Sequence, residues 1–480
     1  MKGVFGRMVR HEWRSLTADR TVWLVSIIFG LLILYAVGNG VGWVRSQGTV
    51  LDSVETDSHR RLTQLAGALD SIPADAPPPA AFGRDPRSPA SVGNIDGAQF
   101  ATLRPQALAP LAVGQTDLLP QYLRVTMRSK LTLAAAQELE NPSNLLEGRF
   151  DLAFVVVYLF PLFILALGFN LLAAERESGT LGMIAAQPVS LASHLGAKVV
   201  VRGGFILGLA MLVTLLGLLL TGALAGMAPA KLGLWFLVLA AYGAFWFAVS
   251  VVVNAVPRSS AANATILAGV WLLLVVVVPA VAGTLVNTLH PMPSRVELIG
   301  AMRTASNDAS ARGAQLLAQV YGDHPDLAPT GTVTTADFMS RTYAVQEEVD
   351  RQLAPLADRF DEQLGRQHAL AARYQLASPA LVASFALADL AGTGPARYRH
   401  WRDQVASYHE TWQEFFIPRA FRREWLDASI YPAIPRFAYT EESHSAVLGR
   451  VGVALLVLLL PTVLLALYAA PRLRRYQVAG

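Results

Sequence analysis

A chain of 480 residues with 53% hydrophobic and only 15% charged side chains falls outside the range of soluble domains, which carry roughly 25% charged residues. Its composition is that of an integral membrane protein, and the formal net charge of +4 matters less than where the charges sit. No cysteine is present, which excludes a disulfide framework, a thiolate metal site and a cysteine nucleophile.

Residues 1–20 place Phe5, Met8, Val9, Trp13 and Leu16 at helical spacing, with Arg7, Arg10 and Arg14 mostly on other faces. This reads as an amphipathic helix at a membrane surface, its arginines near anionic headgroups. The apolar run that follows is too long for the h-region of a cleaved signal. A hydrocarbon core about 30 Å thick needs roughly 20 apolar helical residues. The windows 21–44, 152–174, 199–226, 232–256, 262–289 and 446–470 qualify, with no Asp, Glu, Lys or Arg in their central portions. Arg202 and Arg450 fall near span ends, where snorkelling is cheap. Pro161, Pro279 and Pro461 are expected to kink spans 2, 5 and 6.

Orientation follows from the cationic flanks. Lys2, Arg7, Arg10, Arg14 and Arg20 precede span 1, Arg176 and Lys198 lie between spans 2 and 3, Arg258 between spans 4 and 5, and Arg472, Arg474 and Arg475 after span 6. Both termini, the 175–198 hairpin and the 471–480 tail are therefore expected in the cytoplasm of a multi-pass cell-membrane protein. The long segments 45–151 and 290–445 then face outward.

In the first outward segment, residues 49–70 are helically patterned, 71–120 are rich in Pro, Gly and Ala, and a helical pattern returns over 121–147. The second predicts helices over 294–320, 335–375, 378–391 and 396–416. Pro355 is a candidate break in the second of these, and Gly392-Thr393-Gly394-Pro395 separates the last two. Little strand alternation is visible, so the fold class is all-α: a polytopic membrane protein of six transmembrane helices with two mainly helical extracytoplasmic regions. Gly38, Gly40 and Gly42 in span 1, and Gly204 and Gly208 in span 3, suit close helix approach.

Functional signals are few. There is no G-x-x-x-x-G-K-[ST] loop, no midmembrane carboxylate, no H-E-x-x-H and no G-x-S-x-G. No catalytic residue, metal ligand or cofactor is assigned to this chain, and no nucleic-acid partner is expected. The most informative stretch is Glu175-Arg176-Glu177-Ser178-Gly179-Thr180-Leu181, followed by Gly182-Met183-Ile184-Ala185-Ala186-Gln187-Pro188-Val189-Ser190. Glu175 and Glu177 lie where water returns at the end of span 2. Ser178 or Thr180 can cap a short helix. Leu181, Met183, Ile184 and Ala185 form an apolar patch, and Pro188 helps end the helix. Such a helix, joined directly to two spans, can pass a rotation into both.

This hairpin resembles the one between the second and third spans of ABC-2 type transporter permeases. A second stretch, Leu376-Ala377-Ser378-Pro379-Ala380 followed by Asp389-Leu390-Ala391-Gly392-Thr393-Gly394, then Tyr398 and Trp401, resembles the outward domain of the DUF3526 subfamily of those permeases. The resemblance implies a permease bound to a separate ABC ATP-binding subunit, which would hold the ATP and Mg, and paired with a second copy or a related permease. Glu175, Glu177, Gly179, Thr180, Leu181, Met183, Ile184 and Pro188 are then the expected coupling residues. Hydrolysis is expected on the partner, so this chain is not itself expected to be an enzyme. An amphipathic or hydrophobic cargo, exported, is the expected substrate. A membrane receptor or scaffold with outward sensory domains is the alternative the residues leave open.

Overall fold

The computed structural model describes residues 2–73, 76–77, 85–114, 116, 119–128, 150–291, 295–325, 338–422 and 424–476. Six of its helical segments are long and apolar enough to cross a membrane: TM1 (Arg20–Asp70), TM2 (Leu152–Glu177), TM3 (Leu191–Leu220), TM4 (Pro229–Asn254), TM5 (Ser260–Leu289) and TM6 (His444–Arg474). The chain is a multi-pass, almost entirely helical membrane protein. TM4 is the central helix, with 72% of its apolar window buried against 17% for TM5 and 11% for TM6. Trp235, Tyr242 and Trp246 fill the bundle from its buried faces.

The amphipathic α1 (Lys2–Ala18) precedes TM1, whose first turn is capped by Asp19 accepting from the Thr21 amide at 2.8 Å. Glu12 on α1 pairs with Arg202 on TM3 at 2.7 Å. Arg202 is thus engaged in an ion pair rather than reaching out to headgroups. TM1 runs for 51 residues without a break. At 1.5 Å per residue that is about 75 Å, more than twice the hydrocarbon thickness. The patterning over 49–70 is therefore not a separate helix but the stalk of TM1, and its buried Leu51, Ser58 and Leu62 face the polar domain.

TM2 and TM5 each widen into a π-helical turn, Val155–Leu159 and Leu272–Val277, ahead of Pro161 and Pro279. A proline offers no N–H to the preceding turn, and the extra residue per turn accommodates its ring. The carbonyls left over are met from other elements. The Tyr242 hydroxyl donates to Val157 O at 2.9 Å and the Trp271 indole to Tyr158 O at 3.3 Å.

The third of these contacts defines the least expected part of the fold. The Ser378 hydroxyl donates to Leu274 O, midway along TM5, at 2.6 Å, and caps the short helix that follows. That helix packs on TM4 and TM6, and its Ala380, Ala383, Ala386, Leu387 and Leu390 belong to the same apolar core as the spans. Its far end holds Asp389, paired with Arg450 near the start of TM6 at 2.8 Å; Arg450 also pairs with Glu442 at 2.8 Å. The segment 378–391 is thus a re-entrant helix. It enters the bundle to the depth of Leu274 and leaves on the same side.

The polar domain sits at that same end. It combines a two-stranded antiparallel sheet, β1 (Gln99–Thr102) with β2 (Tyr122–Val125), in the register Gln99↔Val125, with five further helices. In chain order after α1, the short helix α2 (Leu181–Ala185) belongs to the hairpin at the opposite end. The domain then contains α3 (Arg295–Ala311), α4 (Gly313–Asp323), α5 (Phe338–Tyr374), the re-entrant α6 (Pro379–Ala391) and α7 (Pro395–Arg422). The aromatic face predicted for α7 is its core: Trp401, Trp412 and Phe416 are fully buried, and the Trp412 indole donates to Gly93 O at 3.0 Å. Gly392, with φ +72°, ends α6; a β-carbon there would stand 2.6 Å from Gln106.

Four expectations are corrected. Residues 122–125 form a strand, not the start of a helix, because β1 supplies a partner that local periodicity cannot reveal; 129–149 lie outside the described residues. α5 continues through Pro355 as one helix of 37 residues. Arg450 and Arg202 are ion-paired. Of the span-1 glycines only Gly40 makes a close approach, its β-carbon position lying 1.9 Å from Pro110 O, while nothing lies within 4 Å of Gly38, Gly42, Gly204 or Gly208.

Candidate functional site

TM2 leaves regular helix after Gly168, turns through 169–172, and resumes for one turn over Ala173–Glu177. A break inside an apolar bundle exposes main-chain carbonyls that need donors. Four of them here are met by side chains from TM3, TM4 and TM5. Arg202 of TM3 donates to Leu167 O, and to Asn170 Oδ1 at 3.1 Å. Asn254 of TM4 donates to Gly168 O at 2.9 Å and accepts from the Leu172 amide at 3.2 Å, so it grips the chain on both sides of the break. Asn263 of TM5 donates to Phe169 O at 3.3 Å, and Lys198 of TM3 to Leu171 O at 2.7 Å. Asn254, Asn263 and Lys198 are all buried.

The two glutamates continue this wiring. Glu175 meets Lys198 at 2.7 Å and His194 at 2.9 Å, both on TM3. Glu177 accepts from the amide and hydroxyl of Ser260 at 2.6 and 2.8 Å, where it also offsets the positive end of the TM5 helix. Gly179, at φ +72°, makes the left-handed turn that separates Ala173–Glu177 from α2. Ser178 and Thr180 do not cap α2: both hydroxyls turn back to the Glu175 carbonyl at 3.2 Å. Leu181 is 1% exposed, in a small core with Leu171, Leu195, Ala255, Ala469 and Leu473.

The predicted set therefore divides by direction. Glu175 and Glu177 tie the last turn of TM2 to TM3 and TM5, and Leu181, the first residue of α2, packs with Leu195 of TM3 and Ala469 and Leu473 of TM6. Met183 (66% exposed), Ala185, Gln187 and Pro188 stand at the surface, with Ile184 and Thr180 half-buried at its edge. The second group supplies the apolar surface displayed for another molecule; Glu177 is exposed too but is held by Ser260. Asn254, Asn263, Lys198, Arg202 and Glu12 were not singled out from sequence as a site. The available signal was that Asn254 and Asn263 are the polar residues closing one apolar window and opening the next.

Elsewhere in the bundle, TM4, TM5 and TM6 enclose a side cavity of about 530 Å³ with an almost wholly apolar lining that includes Phe245, Val249, Leu274 and Pro461. It begins at the level where Ser378 meets Leu274. Among the described residues no three His, Asp or Glu side chains converge as a metal site requires.

These features define a multi-pass helical membrane protein with a short surface helix braced against three spans. Residues 295–440 match a family described as a domain of unknown function, DUF3526. That match covers α3 to α7, including the re-entrant helix and the aromatic core of the polar domain. No curated protein matches the chain.

Proposed function

We propose that this chain is the transmembrane permease subunit of an ATP-driven ABC-2 type transporter, exporting an amphipathic or hydrophobic substrate and powered by a separate ATP-binding subunit. The observation that carries the reading is the two-sidedness of α2. Its outer face presents Met183 and its neighbours to whatever lies beyond, while Leu181 packs its base among residues of TM3 and TM6, and the end of TM2 just before it is tied to TM3 through Glu175 and to TM5 through Glu177. A partner that grips the outer face and rotates moves three spans at once. The DUF3526 match and the resemblance of the hairpin to ABC-2 permeases support the same reading. In this reading the hairpin is cytoplasmic and the polar domain lies outside the cell membrane. The apolar cavity beside TM4 suits cargo with a hydrophobic body.

The test is co-purification of the full chain with the P-loop ATPase encoded nearest to it, comparing wild type, Met183→Glu and Ile95→Glu. Ile95 is exposed in the polar domain, at the end opposite the hairpin. Loss of the ATPase with Met183→Glu alone, at unchanged melting temperature, supports the docking face. Equal recovery in all three forms, or no ATPase with wild type, sinks it and favours the receptor reading.

A further inference from the structure

At the domain end a pocket of about 390 Å³ opens where the TM1 stalk, β1 and the stretch leading into TM6 meet. Its walls include the half-buried rings of Phe100, Phe437 and Tyr439. Its two carboxylates are both consumed. Glu55 takes Arg104 at 2.5 Å, with Asp52 on the same guanidinium at 2.8 Å. Glu441 takes the buried Arg397 through two bonds, at 2.5 and 2.9 Å, with that guanidinium 5.4 Å from the Tyr439 ring. Two more of the pocket's polar groups are engaged within the protein: Gln99 Oε1 accepts from Ser58 at 3.1 Å, and Thr102 donates to Glu55 at 2.6 Å.

Arg436 is the exception. It lines the same pocket, and among the described residues its guanidinium has neither an ion pair nor a hydrogen bond. Glu55 and Asp52 offset Arg104 and Glu441 offsets Arg397, so among the described residues Arg436 is the pocket's one guanidinium without a carboxylate. With the carboxylates taken, a cationic ligand would find only neutral acceptors here, such as the Tyr439 hydroxyl. An anion would find a free, planar, fork-shaped donor, suited to bidentate capture of a carboxylate or phosphate.

We propose that this pocket is a binding site for a small organic anion, a phosphate or carboxylate carried on an aromatic or apolar body, with Arg436 holding the anion and Phe100 and Phe437 its body. The volume is that of a small-molecule site. Glu441 lies three residues before the first residue of TM6, so the pocket mouth is close to the membrane boundary. The anion therefore comes either from a lipid headgroup or from solution. The inference stands apart from the transport reading, and its test needs no ATPase.

The full chain in phosphatidylcholine nanodiscs is titrated with phenyl phosphate, followed by saturation-transfer NMR, with benzylamine as the cationic counterpart. Phenyl phosphate binds, benzylamine does not, Arg436→Glu weakens binding at least tenfold, and Arg436→Lys retains part of it. Repeating the titration in discs containing phosphatidylglycerol separates the sources. A lower apparent affinity identifies a headgroup site and an unchanged one a site for a dissolved anion, and either keeps the proposal. Arg436 makes no contact on which folding depends, so a monodisperse Arg436→Glu protein that binds phenyl phosphate as wild type does overturns it. Equal binding of benzylamine, or no binding of phenyl phosphate at millimolar concentration, does the same.

Discussion

Ser378 and Leu274 are joined by a single hydrogen bond, hydroxyl to carbonyl at 2.6 Å, and it exists because Pro279 lies five residues beyond Leu274. In the wide turn of TM5 the bonds run five residues back, as from the Val278 amide to Leu273 O. The next would come from residue 279, which as proline has no N–H to give. Leu274 O is left without a partner at midspan, where no water can substitute, and the re-entrant segment supplies one.

Ser378→Ala removes that bond and the cap of α6 together. Losing an N-cap costs about 1 kcal/mol and an unpaired buried carbonyl about 1–3 kcal/mol. The expected result is a melting temperature lowered by several degrees in detergent or nanodiscs, with faster amide exchange over 378–391. Ser378→Thr keeps both bonds and is expected to stay close to wild type. Equal exchange in the alanine variant and wild type would remove Ser378 from this role.

Asn254 does for TM2 what Ser378 does for TM5. Its amide serves Gly168 O and the Leu172 amide across the break, and no apolar residue of similar size can replace it. Asn254→Leu leaves two buried main-chain groups unpaired, a cost of about 2–5 kcal/mol. Exchange is expected to rise over 169–181 in particular, since the hairpin loses its hold on TM4. If exchange rises uniformly or not at all, Asn254 is not what fixes the break.

The spans were legible because apolar length is a local property, and the helices of the second polar region because their breakers, such as Gly392-Thr393-Gly394-Pro395, are local too. The re-entrant depth of 379–391 was not legible. Thirteen residues, apolar but for Ser384 and Asp389, read simply as one more helix of the outward region, and only the contact of Ser378 with Leu274, 104 residues earlier, shows otherwise. The β1–β2 pair was missed for the same reason, since its strands are four residues each and separated by a long connection. At the hairpin, sequence marked out the turn but could not orient its side chains. Glu177 and Leu181 look like docking residues by type. Leu181 turns inward into the Leu171–Leu473 cluster, and Glu177, though exposed, is taken up by Ser260; both sets of partners are distant in sequence.

Gly40 tests whether a predicted glycine face is real. A β-carbon at this position would lie 1.9 Å from Pro110 O, a backbone atom that cannot swing aside, whereas Gly38 and Gly42 have open space. Gly40→Ala is expected to lower the melting temperature and loosen the 109–111 turn from TM1. Gly38→Ala and Gly42→Ala are expected to be neutral or stabilising by up to about 1 kcal/mol, the ordinary gain of alanine over glycine in a helix. A shared response of all three would mean that propensity, not the contact with Pro110, governs them.

The Arg397–Glu441 pair gives the polar domain a pH dependence of definite sign. Burial by itself raises the Glu441 carboxyl, but the hydrogen bond and charge of Arg397 and the hydrogen bond from Gln106 outweigh it, and the net shift is downward from 4.5. A depressed folded value means that the unfolded chain binds the proton more readily. The pair's contribution is therefore complete above the unfolded value and is lost as pH falls through the folded one. The melting temperature of wild type is expected to exceed that of Glu441→Gln at pH 7 and to converge on it only as the pH falls through the carboxyl's depressed folded value. Because Glu441 is partly exposed, raising the salt concentration should shrink the gap at pH 7 as well. A gap that does not shrink at all, however far the pH is lowered within the folded range, would mean that Glu441 acts through shape or packing, not through its charge on Arg397.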